Sequence, residues 1–281
     1  MTENQLKFES LTPPEMVEKA IIVAENKVAN RWLNTLYLAI LAGMYIAFGA
    51  LFASVISVGM PGVWPYGMMK LLQGLVFSMG LILVVVGGAE LFTGNALMVM
   101  AWARRNITLV SLLKNWIIVY FGNFLGSLLV VLFVLLSKEY LVSGGKLGEL
   151  MLSVANAKVH YGFVQALVLG ILCNIMVCLA VWLTYSGKTT TDKILAIIFP
   201  ITFFIAAGFE HSVANMYIIP LGILLQGFDP AFINKLSIDL SSLTWLSFLL
   251  RNLLPVTLGN ILGGGLFVGI LYLLAYRKKQ Y

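Results

Sequence analysis

Six long apolar runs, separated by short polar segments, organise this chain. They predict membrane-spanning helices near 33–57, 67–102, 112–137, 161–187, 194–226 and 247–275, because a span takes about 20 apolar residues. Two of the runs are too long. Leu71 to Ala103 is 33 residues with one charge, Glu90. As one continuous helix it would reach about 50 Å, against a hydrocarbon core of about 30 Å. Each overlong run has a polar, glycine-containing centre: GGAELFTGN at 87–95 and GFEHSVAN at 208–215. Broken helices fit both facts, since irregular backbone is tolerated at membrane depth where protein or water satisfies it.

Composition agrees with a bilayer protein. Hydrophobic residues make up 60% of the chain and charged residues 11%, and mean hydropathy is +0.95, outside the soluble range. The polar N-terminus lacks the apolar core of a cleaved leader. The net charge of +6 is explained by lysines and arginines that set topology rather than by nucleic-acid binding. They concentrate in the N-terminal segment, the 103–110 and 188–193 loops and the tail, among them Lys27, Arg31, Arg104, Lys188 and Arg277. Both termini of this all-helical, multi-pass protein are therefore expected in the cytoplasm.

The expected organisation is a cytoplasmic N-terminal segment (1–32), a six-span channel domain (33–276) and a basic cytoplasmic tail (277–281). In TPPEM, Thr12 can cap a helix, Pro13 and Pro14 suit its first turn and Glu15 completes a capping box. The mixed residues that follow suit a helix lying on the membrane face or a solvated assembly helix. Cys173 and Cys178 lie five apart in one apolar run, which suits neither a disulfide nor a metal pair. No metal or cofactor is expected.

The two polar centres can be laid over each other. Glu90 precedes Asn95 by five positions, and Glu210 precedes Asn215 by five. The next spans match further: NWIIVYFGNFLG (115–126) against NLLPVTLGNILG (252–263). Three spans are thus written twice, near 33–137 and 161–275. An odd number of spans per copy makes the repeats inverted, a plan whose sites lie at the repeat interface near the midplane. Glu90 and Glu210 read first as supports for the breaks, accepting hydrogen bonds from loose amides of the opposite break. Asn95 and Asn215 read as caps there. His211 has no counterpart, because Leu91 occupies its place, so a function is favoured over a structural histidine.

Together AELFTGN, KNWIIVYFGN, AKVHYGF, ILCNIMVCLAVW, GFEHSVANM and LLPVTLGNILGGG resemble the formate/nitrite transporter family over nearly the whole chain. The resemblance implies an aquaporin-like protomer in a homopentamer of the inner membrane, passing small monovalent anions or their conjugate acids, formate first, with or without protons. It implies that His211 is the central pore histidine, with Thr93, Asn174 and Asn260 around it. Phe77, Leu81 and Phe204 would form the apolar constrictions, Leu91 and Phe92 would gate the loop, and Lys158 would stand in the outer vestibule. Gly94, where serine is frequent in formate channels, points instead to nitrite or hydrosulfide. An aquaporin-like channel for neutral solutes would share the inverted plan but carries paired Asn-Pro-Ala motifs, which this chain lacks. An enzyme is not expected: the two histidines lie on different segments, and no HExxH is present.

Overall fold

The computed structural model describes residues 10–276 and is helical, with no strand among them. Helix α1 (Pro13–Ala29) opens as a capping box: the Thr12 N–H donates to Glu15 Oε2 at 2.9 Å. Its stripe of Met16, Val17, Ala20, Ile21 and Ala24 is buried against the chain's own helices. Helices α2 (Trp32–Ile56), α3 (Tyr66–Gly87), α4 (Gly94–Ala103, starting as a 3₁₀ turn) and α5 (Leu109–Leu136) follow. The order then recurs: amphipathic α6 (Lys146–Lys158), α7 (Phe163–Ser186), α8 (Thr190–Ala206), α9 (Ser212–Phe228) and the last helix, α10 (Trp245–Ala275). Five of these (α2, α3, α5, α7 and α10) are each long and apolar enough to cross a membrane, while α4 and α9 are shorter apolar helices. The expected basic tail at 277–281 lies outside the described residues.

Both overlong runs are broken where the polar centres predict. Helix α3 ends at Gly88 (φ 74°) and α8 at Gly208 (φ 73°), the left-handed residue that closes a helix C-terminus. The Ala89 N–H then reaches the Val84 carbonyl at 2.9 Å, and the Phe209 N–H reaches that of Phe204 at 3.0 Å. After each break the chain runs past a neighbouring span. Glu90 N–H donates to Leu38 O of α2, and Glu210 N–H donates to Leu169 O of α7.

Helix α5 packs on α2, and α10 packs on α7. Close approach is set by the GNFLG and GNILG runs: a Cβ on Gly126 would collide with the Ile40 carbonyl, and one on Gly263 with that of Ile171. This is small-residue packing, suited to helices that gain little from hydrophobic exclusion in lipid. Helix α10 departs from its counterpart by π-helical stretches at Phe248–Leu253 and Leu262–Ile270, whereas α5 is a regular α-helix throughout. Outward faces carry large apolar side chains such as Val110, Ile117 and Phe199.

Candidate functional site

Each break is held by one asparagine from the third long helix of its half. Asn123 Oδ1 accepts from the Phe92 N–H at 2.9 Å, and its Nδ2 donates to the carbonyls of Ala39 and Glu90. Asn260 does the same work in the other half, accepting from the Ser212 N–H and donating to Gly170 O and Glu210 O. Backbone groups orphaned by the breaks are thereby satisfied, as burial requires.

The glutamates have a different task from the one the sequence suggests. Their carboxylates accept from side chains, not from amides of the opposite break. Glu90 accepts from Lys27 at 2.7 Å and from Asn95 at 2.7 Å, and Asn95 donates also to Asn115. Glu210 accepts from Lys158 at 2.5 Å and from Asn215 at 2.7 Å, and Asn215 donates also to Asn252. The physical reason is that Asn123 and Asn260 already take the amides, leaving the carboxylates as buried charges that need a cation. Lys27, Asn115, Asn123 and Asn252 were not singled out from the sequence as site residues. The repeat held the signal for three of them, since both asparagines of each NxxxxxxxN pair are shared letters. Lys27 and Lys158 each lie in the last turn of an amphipathic helix, α1 and α6.

Two cavities approach one another across the molecule. One, of about 260 Å³ on the α6 side, is lined by Lys70, Phe77, Lys158, Tyr161, Phe204 and His211, among others. The second, of about 390 Å³ on the α1 side, includes Lys27, Leu81, Glu90, Leu91, Gly94 and Asn95. Tyr161 precedes α7; burial and then the Glu210 carboxylate push its hydroxyl above the ordinary tyrosine range.

Between the cavities lies the centre. Phe77 and Phe204 meet edge to face at 5.6 Å, and Phe204 stacks on His211 at 6.0 Å. Phe77 and Leu81 are one helical turn apart on α3, and both are buried. His211 Nε2 lies 2.9 Å from Thr93 Oγ1, and its Nδ1 accepts from the Ala214 N–H at 3.1 Å. With Nδ1 so occupied, the ring proton belongs on Nε2, which donates to Thr93. Asn174 Nδ2 donates to Thr93 O and Asn260 O, and Cys178 Sγ also reaches Thr93 O. Of the residues expected here, Thr93, Asn174 and Asn260 are brought to His211 as one bonded group. Phe92 is not: its ring packs against Trp116 and Tyr120 and lines neither cavity. Lys158 lines the α6-side cavity, but as half of an ion pair.

A family model described as formate/nitrite transporter matches residues 14–274. The chain is 45% identical over 277 residues to the formate channel FocA of Escherichia coli strain K12, covering 97% of each chain. It is 36% identical to a probable formate transporter of Methanothermobacter thermautotrophicus, covering 95% of this chain and 98% of that one. Among solved structures it resembles a pentameric formate channel with formate bound, at 41% identity and TM-score 0.79, over 87% of this chain and 97% of the other. An FNT family ion channel matches at 29% identity and TM-score 0.80, over 93% and 98%.

Proposed function

The chain belongs to the formate/nitrite transporter family, and from that premise we propose that it is a formate channel that passes the neutral acid through a centre built on His211 and Thr93. Formate is chosen because several relatives are described as formate channels, one with formate bound. Five subunits would assemble as in that structure, in the inner membrane with both termini cytoplasmic, the positive loops setting the side. The two halves would be inverted copies, which puts one vestibule on each face.

The observation that carries this reading is the His211–Thr93 bond, set between Phe77 and Phe204 on one side and Leu81 and Leu91 on the other. An anion entering that apolar gap would lose its hydration with no free cation in the gap to meet it: Lys27 and Lys158 are paired with glutamates, and Lys70 is held over the Tyr66 ring at the α6-side mouth. The cost of an unpaired charge there exceeds that of protonating it first. Formate therefore takes a proton from vestibule water, crosses as formic acid, and returns the proton to water on the far side. His211 is not the net donor. Its Nδ1 accepts from a backbone amide, so losing the Nε2 proton would leave an imidazolate. Its task is to hold the Thr93 hydroxyl, whose own hydrogen is then left to donate to the acid as it passes.

The test is formate flux into proteoliposomes with simultaneous internal pH recording, from pH 5 to 8. One proton should accompany each formate. His211→Asn should keep that ratio, and His211→Phe should cut the rate by roughly tenfold through loss of one buried hydrogen bond. Formate flux with no proton would sink the neutral-acid route. Equal rates in all three forms would make His211 a packing residue. Nitrite and hydrosulfide are the alternative permeants, suggested by Gly94, and the same assay ranks them.

A further inference from the structure

The α1-side surface carries a second pocket of about 330 Å³ between the start of α2 and the start of α5, bordering the first at Lys27 and Asn30. Its polar lining includes Lys27, Arg31, Thr35, Ser111, Lys114 and Asn115, with no carboxylate. Lys27 is neutralised by Glu90, but Arg31 and Lys114 meet no carboxylate among the described residues. Asn115 Oδ1 accepts from Asn95 Nδ2. Asn115 Nδ2 meets no acceptor among the described residues, although the equivalent Asn252 Nδ2 donates to Lys158 O and Glu210. The pocket is therefore a set of donors, Thr35 and Asn115 buried at its base, beneath two exposed cations that no carboxylate compensates.

It opens directly onto an apolar groove formed by Trp32, Val110, Leu113 and Ile117, and shares Trp32, Lys114 and Ile118 with it. Val110 and Ile117 are 75% and 70% exposed. A soluble anion would use the cations and leave the groove bare. One molecule that satisfies both is a phospholipid with a negatively charged headgroup. Its phosphate meets Arg31 and Lys114, its headgroup hydroxyls meet Asn115 and Ser111, and an acyl chain lies along the groove. A tryptophan at the junction suits the membrane interface, and basic pockets between helices are where charged headgroups dock.

We infer that this is a binding site for an anionic phospholipid of the leaflet on the α1 side. The full chain, purified in neutral detergent, is titrated with dioctanoyl-phosphatidylglycerol, dioctanoyl-phosphatidylcholine or inorganic phosphate, and thermal unfolding is followed. The glycerol lipid should raise the unfolding temperature; the choline lipid and phosphate, at equal concentration, should not. Arg31→Gln with Lys114→Gln should weaken the response roughly thirtyfold, two cations each contributing about 1 kcal/mol. Arg31→Lys with Lys114→Arg should retain it. An equal response to the choline lipid would reduce the site to an apolar groove, and an equal response to phosphate would make the ligand a free anion. Unchanged binding in the double glutamine variant would place the headgroup elsewhere. A photo-crosslinker at Ile117 that yields a product of two chains would overturn the inference by covering the groove with a second copy.

Discussion

At the scale of single residues, a charge is tolerated in this interior only beside its partner. Glu210 is 1% exposed, and Lys158 ends within hydrogen-bond reach of it. Removing one member of a buried pair strands the other, at a cost of about 3–5 kcal/mol. Lys158→Met should therefore lower stability and assembly, and adding Glu210→Gln should restore much of the loss; thermal unfolding of the single and double variants measures the coupling. Attraction of anions into the α6-side cavity then falls to Lys70, which lines it and whose ammonium lies over the Tyr66 ring at 5.7 Å. Lys70→Gln should reduce formate uptake from that side at low salt and converge with the unsubstituted protein at high salt, as screening of a single mouth charge requires. Equal salt curves would take Lys70 out of the pathway. Gly94 is a different kind of residue. Its φ is not left-handed, and an added Cβ would meet only Val181 at an ordinary 3.6 Å. Gly94→Ser should assemble normally, and any change should show only in the formate-to-nitrite flux ratio.

Among the elements, the two broken helices were readable because length and polarity erred together: runs too long to span, each with Gly, Glu and Asn at its centre. Their supports were half readable. The shared asparagines of 115–126 and 252–263 announced the repeat, yet nothing local says that Asn123 and Asn260, rather than the glutamates, would collect the amides. That choice depends on helix rotation and close approach, set by Gly126 and Gly263 in three dimensions. The likeness between halves also begins earlier than the spans. Helices α1 and α6 are both amphipathic, and both deliver a lysine to the glutamate of a break. Low similarity between two solvated helices hid this, because their polar faces are free to vary. The pairing predicts equivalent weakness in both halves. Asn123→Ala and Asn260→Ala each leave one buried amide without its acceptor, for about 1–3 kcal/mol. Both should lower the unfolding temperature to a similar degree, and a large difference between them would show that the two breaks are not supported alike.

For the whole molecule, the near-equivalence of the two cavities constrains what drives transport. Each has a lysine, a glutamate and an asparagine in the same bonding pattern, so these clusters trap no anion at either end, and Lys70 adds a single mouth charge on the α6 side alone. At the centre the halves differ outright: His211 faces Thr93, and the equivalent positions are Leu91 and Val213. A path whose apolar middle holds no unpaired cation has no means of storing energy for uphill movement. Formate should therefore distribute according to the form that crosses. If formic acid crosses, membrane potential has no hold on the permeant, and a pH difference does. One pH unit is worth about 1.4 kcal/mol, or tenfold in concentration, so vesicles one unit more alkaline inside should accumulate formate about tenfold at equilibrium. Imposing a potassium diffusion potential at equal pH should leave the distribution even. An even distribution under the pH gradient, with accumulation that follows the potential instead, would mean that the anion itself passes between Phe77, Phe204, Leu81 and Leu91, and that the amides and His211 must stabilise its charge there.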